Sequence, residues 1–342
     1  MADQLVRTRL HHLDIPLLAS FRTATGVVAN RSVVLVAVGD GVVGWGEAAP
    51  YPGQDETIED LVERARASSV SPALSAGLDE ALHDHAARRN GVPLHPVTAT
   101  EVPVSVALGI DDALERAAAL ADLGVARFKV KIAPGAIDHL VELREAHPDA
   151  LLGVDGNRSF ESMDRHGIGI LVDTGVVYAE ELFTEWVSGA AEAFVDLSGI
   201  PLFADESVRS IADVRRMVSL PAVGGITVKP GRLGWSGSLE AVTTAQDAGR
   251  AWRASGLLET GIGRAYTDLL AADPSAAPSD VAPASAFLAG DVADDRAGVG
   301  VVRVPTGAGI GTAPDPDVLD RFAVEVIEVD LPVIEWEGPV PG

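Results

Sequence analysis

Five ionisable residues recur at an almost constant spacing through the middle of the sequence. Lys131, Asp155, Glu180, Asp205 and Lys229 are separated by 24, 25, 25 and 24 residues. A strand–helix unit of a (β/α)8 barrel takes about 30 residues, so this step fits a compact unit. The carboxyl ends of all barrel strands meet at one mouth. The spacing therefore predicts that these five side chains lie together and carry out chemistry there.

Three of the five residues are carboxylates, and each directly follows an apolar run: LLGVD, VVYAE and PLFAD. Carboxylates that are brought together repel one another and acquire raised pKa values unless a cation is present. Ligation by oxygen alone suits Mg²⁺, or Mn²⁺, better than Zn²⁺. We therefore predict a divalent-metal site on Asp155, Glu180 and Asp205. The alternative is three surface acids, each paired with a local Arg or Lys.

The lysines supply candidate bases. Lys129 and Lys131 are two residues apart, so their side chains share one face of a strand. Neighbouring ammonium groups lower each other's pKa, which a lysine that acts as a base at neutral pH requires. Lys229 would lie across the barrel, and two lysines flanking a metal-bound carboxylate could address both faces of an α-carbon, the ion carrying the enediolate charge. The alternative for Lys129 is a solvated strand-end residue.

The elements that must position these residues fall into two groups. Before residue 100, strands are predicted at 5–9, 33–38 and 42–47, with the turn Gly39-Asp40-Gly41 between the last two. Helices follow over 57–89, which indicates a small α+β unit.

From residue 102, apolar strand-like runs alternate with amphipathic helical stretches, which is typical of parallel βαβ units. The runs lie at 102–108, 126–132, 150–154, 176–179, 200–204 and 225–228. Continuing the spacing of 24–25 residues past Lys229 places the next strand ends in the regions 253–259 and 283–285. Eight strand–helix units are therefore predicted between residues 102 and 290.

The composition limits the classes of partner. The 342-residue chain has 47% hydrophobic and 22% charged residues, as globular proteins do. Its net charge of −24 argues against nucleic acid and anionic membranes. The absence of cysteine fits a reducing cytoplasm. The sequence shows neither a signal-peptide pattern nor an apolar run of the ~20 residues that a membrane span needs, so a cytoplasmic location is predicted.

Several motifs carry a resemblance to a known family. They are Lys129-Val-Lys131, Val154-Asp-Gly-Asn157, Glu180-Glu181, Ala204-Asp-Glu-Ser207 and Val228-Lys229, together with Phe21-Arg-Thr, Gly44-Trp-Gly-Glu-Ala-Ala-Pro50 and Leu258-Glu-Thr-Gly-Ile-Gly-Arg264. On these motifs the chain resembles the muconate-cycloisomerase-like subgroup of the enolase superfamily. Within that subgroup it is similar to the o-succinylbenzoate synthase / N-succinylamino acid racemase group.

The resemblance implies a fold and a catalytic arrangement. The fold would be α/β, a modified (β/α)8 TIM barrel (101–300) with an N-terminal α+β capping domain (1–100), completed by a C-terminal segment (301–342). Mg²⁺ would be bound by the three carboxylates, with Lys131 as the base. Lys229 would be a cation facing the intermediate in a synthase, or a second base in a racemase. The family often forms dimers or octamers, so a homo-oligomer is an expectation.

The resemblance also implies the substrate site. A small carboxylate substrate would contact Asn157, Arg158, Arg22, Gly256, Leu258 and Glu259, with Lys129 among the catalytic residues. Loops near 20–26 and 49–53 would close the site. The sequence departs from the family pattern at Leu182, where proline is usual, and at Gly156, where alanine is usual.

The function expected first is o-succinylbenzoate synthesis, a dehydration that serves menaquinone biosynthesis. Racemisation or epimerisation of N-succinylamino acids or dipeptides, or muconate-type cycloisomerisation, is the alternative within the superfamily. From other classes, a metal-free Schiff-base lysine lyase and a non-catalytic binding relative stay open.

Overall fold

The structure is a computed structural model that describes residues 5–23, 26–52, 56–97 and 99–332, without the side chains of 20–26. Its first strands form an antiparallel sheet: β1 (Leu5–Thr23), β2 (Gly26–Val38) and β3 (Gly44–Ala48). The predicted turn between β2 and β3 is confirmed, since Gly39 and Gly41 have φ values of 97° and 81°, which glycine adopts without strain.

Two helices pack on this sheet, as the sequence predicted. They are α1 (Ile58–Arg66) and α2 (Pro72–Asn90). Ser71 caps α2 by accepting a hydrogen bond from the Leu74 N–H, and Pro72 occupies the first helical position, where its missing N–H costs nothing. A Cβ at Gly46 would lie 2.0 Å from the Gly77 carbonyl oxygen, so glycine lets α2 lie directly against β3.

Seven parallel strands curl into the second unit, in the order β11-β10-β9-β8-β7-β6-β5. They are β5 (Val106–Leu108), β6 (Arg127–Lys131), β7 (Leu151–Asp155), β8 (Val176–Glu180), β9 (Leu202–Ala204), β10 (Val223–Val228) and β11 (Ala251–Ala254). The helices that follow them are α3 (Ala113–Ala121), α4 (His139–Ala146), α5 (Arg165–Asp173), α6 (Ala190–Ser198), α7 (Ile211–Val218), α8 (Pro230–Asp247) and α9 (Gly261–Ala271). The alternation predicted from the sequence is confirmed.

The eighth barrel position is filled without a regular strand. The Ala277 N–H donates to the Trp252 carbonyl at 2.8 Å, and the Ser105 N–H donates to the Val281 carbonyl at 2.9 Å, so the segment 277–281 spans from β11 to the residues before β5. The prediction that the eighth unit is reached at 283–285 was wrong, because Ala284–Ala286 form a 3-10 turn. Prolines at 278 and 283 remove backbone donors that a continuous strand would need.

The run at 102–108 is also two elements rather than one. β4 (Glu101–Pro103) pairs antiparallel with β12 (Val301–Arg303), and only the second part of the run is the barrel strand β5. Pro103 at the end of β4 lacks a backbone donor, which favours the break.

The C-terminal segment returns to the first sheet. After α10 (Pro316–Phe322), β13 (Ala323–Pro332) pairs antiparallel with β1, which gives the sheet order β13-β1-β2-β3. We call this sheet with α1 and α2 the cap. Domain limits at residues 100 and 300 stay predictions. Of the helices described, none combines the length and the apolar character that crossing a membrane requires.

Cap and barrel meet through buried polar contacts. Glu47 on β3 is fully buried and accepts hydrogen bonds from the Thr260 and Gly263 N–H groups, each at 3.0 Å, at the start of α9. Glu80 on α2 accepts the Glu47 N–H at 3.0 Å. A carboxylate at a helix N-terminus satisfies amides that have no partner within the helix, so Glu47 fixes α9 to the cap.

Candidate active site

The strand register brings the predicted residues to one end of the barrel. Lys131 pairs with Asp155, and Asp155 pairs with Glu180, at the last positions of β6, β7 and β8. Asp205 and Lys229 directly follow β9 and β10. The sequence spacing therefore predicted the positions of all five residues at the carboxyl ends of consecutive strands.

Aromatic rings fill the barrel below these residues. A Cβ at Gly153 would lie 2.1 Å from the Tyr178 ring, and one at Gly225 would lie 2.4 Å from the Phe203 ring. The two rings meet edge to face with centroids 5.9 Å apart. Glycine on β7 and β10 thus makes room for rings from β8 and β9, and the charged residues lie above a packed interior.

Lys129 is buried among acids and is not a free base. Its Nζ lies 2.7 Å from Glu180 Oε2, 2.7 Å from Asp280 Oδ2 and 3.5 Å from Asp155 Oδ2. Burial alone would lower the pKa of Lys129, but Asp280, Glu180 and Asp155 outweigh it and hold this pKa well above its usual value. The expectation that the two neighbouring ammonium groups lower each other's pKa was therefore wrong for Lys129.

Asp205 is held by two cations. Lys229 Nζ lies 2.6 Å from Asp205 Oδ2, and Arg232 Nη1 lies 3.3 Å from Asp205 Oδ1. Burial would raise the pKa of Asp205, but Lys229, Arg232 and Lys129 outweigh burial and hold this pKa well below its usual range. Asp205 is therefore a carboxylate that stays ionised.

Lys131 has a different environment. Its side chain is partly exposed, and its Nζ donates to Asn157 Oδ1 at 2.7 Å. Among the contacts described for the three lysines, this is a hydrogen bond to a neutral group, whereas Lys129 and Lys229 contact carboxylates directly. The geometry thus separates Lys131 from the two other lysines.

The lysine content of the whole sequence is concentrated at this site. Of the 26 basic Lys and Arg residues, only Lys129, Lys131 and Lys229 are lysines. Arginine meets the need for positive charge everywhere else, and arginine cannot act as a base because its pKa exceeds 12. The restriction of lysine to these three positions indicates that at least one of them needs an amine that can lose its proton and act as a base.

Asp155, Glu180 and Asp205 fit a hard divalent cation in donor type, strand position and burial, with 4%, 0% and 3% of their surfaces exposed. As placed, no three acidic or histidine side chains of the described residues converge on one point. Ammonium groups contact two of the three carboxylates instead, Lys129 at Glu180 and Lys229 at Asp205. A buried oxygen of the neighbouring acid, Glu206 Oε2, has no hydrogen-bond partner in the described part of the chain, so the mouth holds acidic oxygen that the chain itself does not satisfy.

Glu181, the adjacent candidate for a metal ligand, is used elsewhere. Its Oε2 accepts the Asp205 N–H at 2.7 Å, and its Oε1 accepts Trp186 Nε1 at 3.1 Å. Its φ is 39°, an uncommon value outside glycine. Glu181 therefore supports the loop after β9, and Glu180 is the residue that faces the other acids.

The residues predicted to bind substrate are not all brought to one open surface. Arg158 is half-exposed, and its Nη2 donates to the Thr184 carbonyl at 3.0 Å. Glu259 is 1% exposed, and its Oε2 lies 3.4 Å from Arg264 Nε. A Cβ at Gly256 would lie 2.5 Å from Glu259 Oε2, so that glycine makes room for the buried acid.

Leu258 has a φ of 63°, and its carbonyl accepts Arg31 Nε at 3.1 Å. The side chain of Arg22 and residues 24–25 and 53 of the predicted closing loops lie outside the described residues.

Arg31, which sequence reasoning missed, joins the cap to the barrel mouth. Its guanidinium donates to the carbonyls of Ala49 (2.8 Å), Pro50 (2.7 Å) and Leu257 (3.0 Å), and the side chain is 1% exposed. These contacts fix the start of one predicted closing loop to the loop after β11. An arginine inside a strand gives no sequence signal for such a role.

Asp280 and Arg232, described above, were missed as well, and so were Arg253 and Glu206. Arg253 on β11 is fully buried, with its guanidinium 4.0 Å from the Tyr178 ring centroid and 2.5 Å from Asp280. Glu206 accepts Asn157 Nδ2 at 2.9 Å, and burial, with Asp205 and Asp155 nearby, raises the pKa of Glu206 to about 7. The adjacent acids of the Asp205-Glu206-Ser207 motif were the available signal for Glu206.

The two departures from the family pattern contact each other. A Cβ at Gly156 would lie 2.8 Å from Leu182 Cα and 2.9 Å from Leu182 Cδ2. The leucine side chain therefore occupies part of the space of an alanine methyl at residue 156, and the Cα at residue 182, which any residue there would have, occupies the rest.

Comparison with known proteins gives the family. Residues 112–318 match Enolase C-terminal domain-like, and residues 6–71 match Mandelate racemase / muconate lactonizing enzyme, N-terminal domain. The chain is 30% identical to an o-succinylbenzoate synthase of Geobacillus kaustophilus, over 94% of this chain and 96% of that protein. It is also 30% identical to an N-succinylamino acid racemase of Thermus thermophilus, over 88% of this chain and 92% of that protein.

Solved structures agree with this assignment. A probable mandelate racemase from Alicyclobacillus acidocaldarius has a TM-score of 0.81 and 28% identity, covering 96% of this chain and 99% of that chain. An N-succinyl Arg/Lys racemase from Bacillus cereus has a TM-score of 0.83 at 16% identity, over 95% of this chain and 100% of that chain, and shows the fold alone. The chain belongs to the mandelate racemase / muconate lactonizing enzyme family, and it is an enzyme of the enolase superfamily. The predicted fold class, a capped and modified barrel, is confirmed.

Proposed function

We propose that the protein is a Mg²⁺-dependent o-succinylbenzoate synthase that dehydrates 2-succinyl-6-hydroxy-2,4-cyclohexadiene-1-carboxylate for menaquinone biosynthesis. The observation that carries the proposal is the placement of the chain's three lysines among three buried carboxylates at consecutive strand ends. Removal of a proton next to a carboxylate needs a basic amine and a nearby concentration of positive charge. Both are provided at this mouth.

Asp155, Glu180 and Asp205 would hold the Mg²⁺ ion, with Mn²⁺ as a substitute. When bound, the ion supplies a Lewis acid that stabilises negative charge on the substrate carboxylate. The acids are otherwise paired with Lys129 and Lys229, so ion binding is expected to rearrange these ion pairs.

Lys131 performs the proton transfers in this proposal. Its neutral amine takes the proton from the carbon next to the carboxylate, and the C–H electron pair is delocalised toward that carboxylate. The ring hydroxyl then leaves with the proton that Lys131 returns, so one water is lost and Lys131 is regenerated. Lys229, whose ammonium lies 2.6 Å from Asp205, faces the developing negative charge as a cation.

Racemisation of an N-succinylamino acid is the second candidate, because Lys131 and Lys229 belong to strands separated by three others in the sheet. In that reaction one lysine would remove the α-proton and the other would deliver a proton to the opposite face. The Thermus thermophilus relative, named a racemase, supports keeping this candidate.

A direct assay separates the two candidates. Purified protein with Mg²⁺ is given the cyclohexadiene carboxylate and, separately, single enantiomers of N-succinylamino acids. We expect rapid dehydration of the first substrate and loss of activity after chelation. Racemisation without any dehydration would overturn the proposal.

A metal-free Schiff-base mechanism through Lys229 is tested in the same preparations. Borohydride added with substrate should trap no adduct, since the proposed reaction forms no imine. A trapped adduct on Lys229, with activity that survives chelation, would replace the proposal.

A further inference from the structure

The side chain of Asn157 joins the amine of Lys131 to two carboxylates. Lys131 Nζ donates to Asn157 Oδ1 at 2.7 Å, while Asn157 Nδ2 donates to Glu206 Oε1 at 2.9 Å and to Asp155 Oδ2 at 3.3 Å. A carboxamide has one accepting and one donating end. Because the donating end faces carboxylates, the accepting end must face the amine.

The backbone conformation of Asn157 does not by itself fix the orientation of its side-chain amide. Its φ is 42°, and its N–H donates to Asp155 Oδ1 at 3.0 Å. Left-handed backbone of this kind is tolerated by asparagine and persists where the surroundings hold it. The residue itself is exposed, so packing does not fix its side chain. The hydrogen bonds of Nδ2 are what orient the amide.

Glu206 is the anchor that comes from outside the β7 loop. It follows Asp205 at the end of β9, two strands from β7, and its Oε1 accepts from Asn157. Its Oε2 is buried without a hydrogen-bond partner in the part of the chain that the structure describes. A carboxylate with so few contacts of its own is available to hold Asn157.

We infer that Glu206 is a positioning residue, which fixes the amine of Lys131 through Asn157. The inference rests on the role proposed for Lys131 as the base. The competing role for Glu206 is that of a fourth oxygen ligand to the cation. The two roles differ in what they need: positioning needs an acceptor at Oε1, which glutamine keeps, whereas ligation needs the negative charge, which glutamine lacks.

The scarcity of lysine makes a direct measurement possible. The amines that limited acetylation with acetic anhydride can modify are the three lysines and the N-terminal amine. Mass spectrometry then gives the acetylation rate of Lys131 relative to Lys229 in metal-free protein. This ratio reports the environment of the amine without any turnover.

Removal of the Glu206 carboxylate should leave the Lys131 amine less firmly held and therefore more reactive. For Glu206→Ala we expect the relative acetylation rate of Lys131 to rise about tenfold, the equivalent of one hydrogen bond to a charged group. Glu206→Gln should stay within about twofold of the parent, because the acceptor is retained. Asn157→Leu removes the acceptor for Lys131 and should reproduce Glu206→Ala. Glu185→Gln, on an exposed residue, is the matched control.

Turnover supplies a second readout. Glu206→Ala should lower kcat with KM and Mg²⁺ affinity unchanged, and Glu206→Gln should restore kcat. If the acetylation results hold while neither candidate substrate is turned over, the proposed function fails and the positioning role stands.

Two results would overturn the inference. One is an unchanged acetylation ratio in Glu206→Ala, or in Asn157→Leu if the former does not fold. The other is a loss of Mg²⁺ affinity of equal size in Glu206→Ala and Glu206→Gln, which would make Glu206 a cation ligand.

Discussion

Carboxylates are buried in two regions of the molecule, the barrel mouth and the interface between cap and barrel, and the two regions stabilise them differently. At the mouth, Glu180 and Asp205 lie against the ammonium groups of Lys129 and Lys229. At the interface, Glu47 accepts hydrogen bonds from backbone N–H groups of the barrel, and behind it in the cap Glu80 accepts the Glu47 N–H. The first arrangement supplies full positive charge, and the second supplies dipoles.

The pKa directions follow this difference at Asp205, whereas at Glu180 burial outweighs Lys129 and Arg253 and raises the pKa. Cations hold the pKa of Asp205 below its usual range, whereas burial raises the pKa of Glu47 to about 7 and that of Glu80 well above its usual value. A cation of the chain can be displaced by a metal ion, but a backbone amide cannot. The mouth is therefore organised for exchange of partners, and the interface for fixed attachment of the cap.

The largest effect should come from removing a charge at the mouth. Glu180→Gln is expected to lower turnover by roughly 10³-fold, since it removes transition-state charge stabilisation. Steady-state assays and calorimetric titration with Mg²⁺ would measure it. Because glutamine keeps acceptor capacity for Lys129 and Thr227, the melting temperature of this variant should fall less than that of Glu47→Ala. A large loss of melting temperature with unchanged turnover would show that Glu180 serves stability and not catalysis.

At the interface, Glu47→Ala should affect stability instead. It leaves the amides at the start of α9 without acceptors, so we expect a loss of about 2–4 kcal/mol in the free energy of unfolding. Denaturant unfolding measures this, with Glu63→Gln on α1 as a control. A loss below about 0.5 kcal/mol, the range of an ordinary surface change, would contradict the structural role.

A change at the mouth can also act through packing alone. Gly156→Ala would place a methyl group against Leu182, and overpacking of this kind costs about 1–3 kcal/mol. Adding Leu182→Ala should relieve part of that cost, so the double variant should be less destabilised than the sum of the two single variants.

Gly169→Ala in α5, where a Cβ meets nothing within 4 Å, is the matched control and should be neutral or slightly stabilising. Additive single effects would show that the two departures are independent.

The smallest effect concerns pH. Glu80 has a raised pKa in the folded state, so the folded state binds more protons than the unfolded state above the unfolded pKa, near 4.5. Stability from this group is therefore present at low pH and decreases as pH rises. Glu80→Gln should be more favourable, relative to the parent, at pH 8 than at pH 5. Melting temperatures at both pH values test this, and an equal difference at each would refute it.

The sequence predicted the residues of the barrel mouth better than it predicted the eighth position, where the barrel closes. Ionisable residues recur at the ends of the strands every 24 or 25 residues. This regular spacing was enough to predict the positions of Lys131, Asp155, Glu180, Asp205 and Lys229. The eighth position could not be predicted in the same way, because prolines at 278 and 283 interrupt its strand and the segment is held by β11 and Ser105.

The contacts of individual side chains could not be predicted from the sequence either. Arg31 contacts residues up to 227 positions away, and Glu206 accepts a hydrogen bond from Asn157 across two strands. The shared face of Lys129 and Lys131 was predicted from strand periodicity, yet three surrounding carboxylates give Lys129 a different electrostatic environment. Periodicity fixes the direction of a side chain, whereas its pKa depends on groups from other strands.

The proposed role of Lys131 as an amine base is tested by the substitution Lys131→Arg. The substitution keeps the positive charge and a donor for Asn157, but arginine does not lose its proton at neutral pH. We expect turnover of the active substrate to fall by about 10²–10⁴-fold, with unchanged Mg²⁺ affinity and melting temperature. Turnover within a few-fold of the parent would show that Lys131 supplies only charge and is not the base.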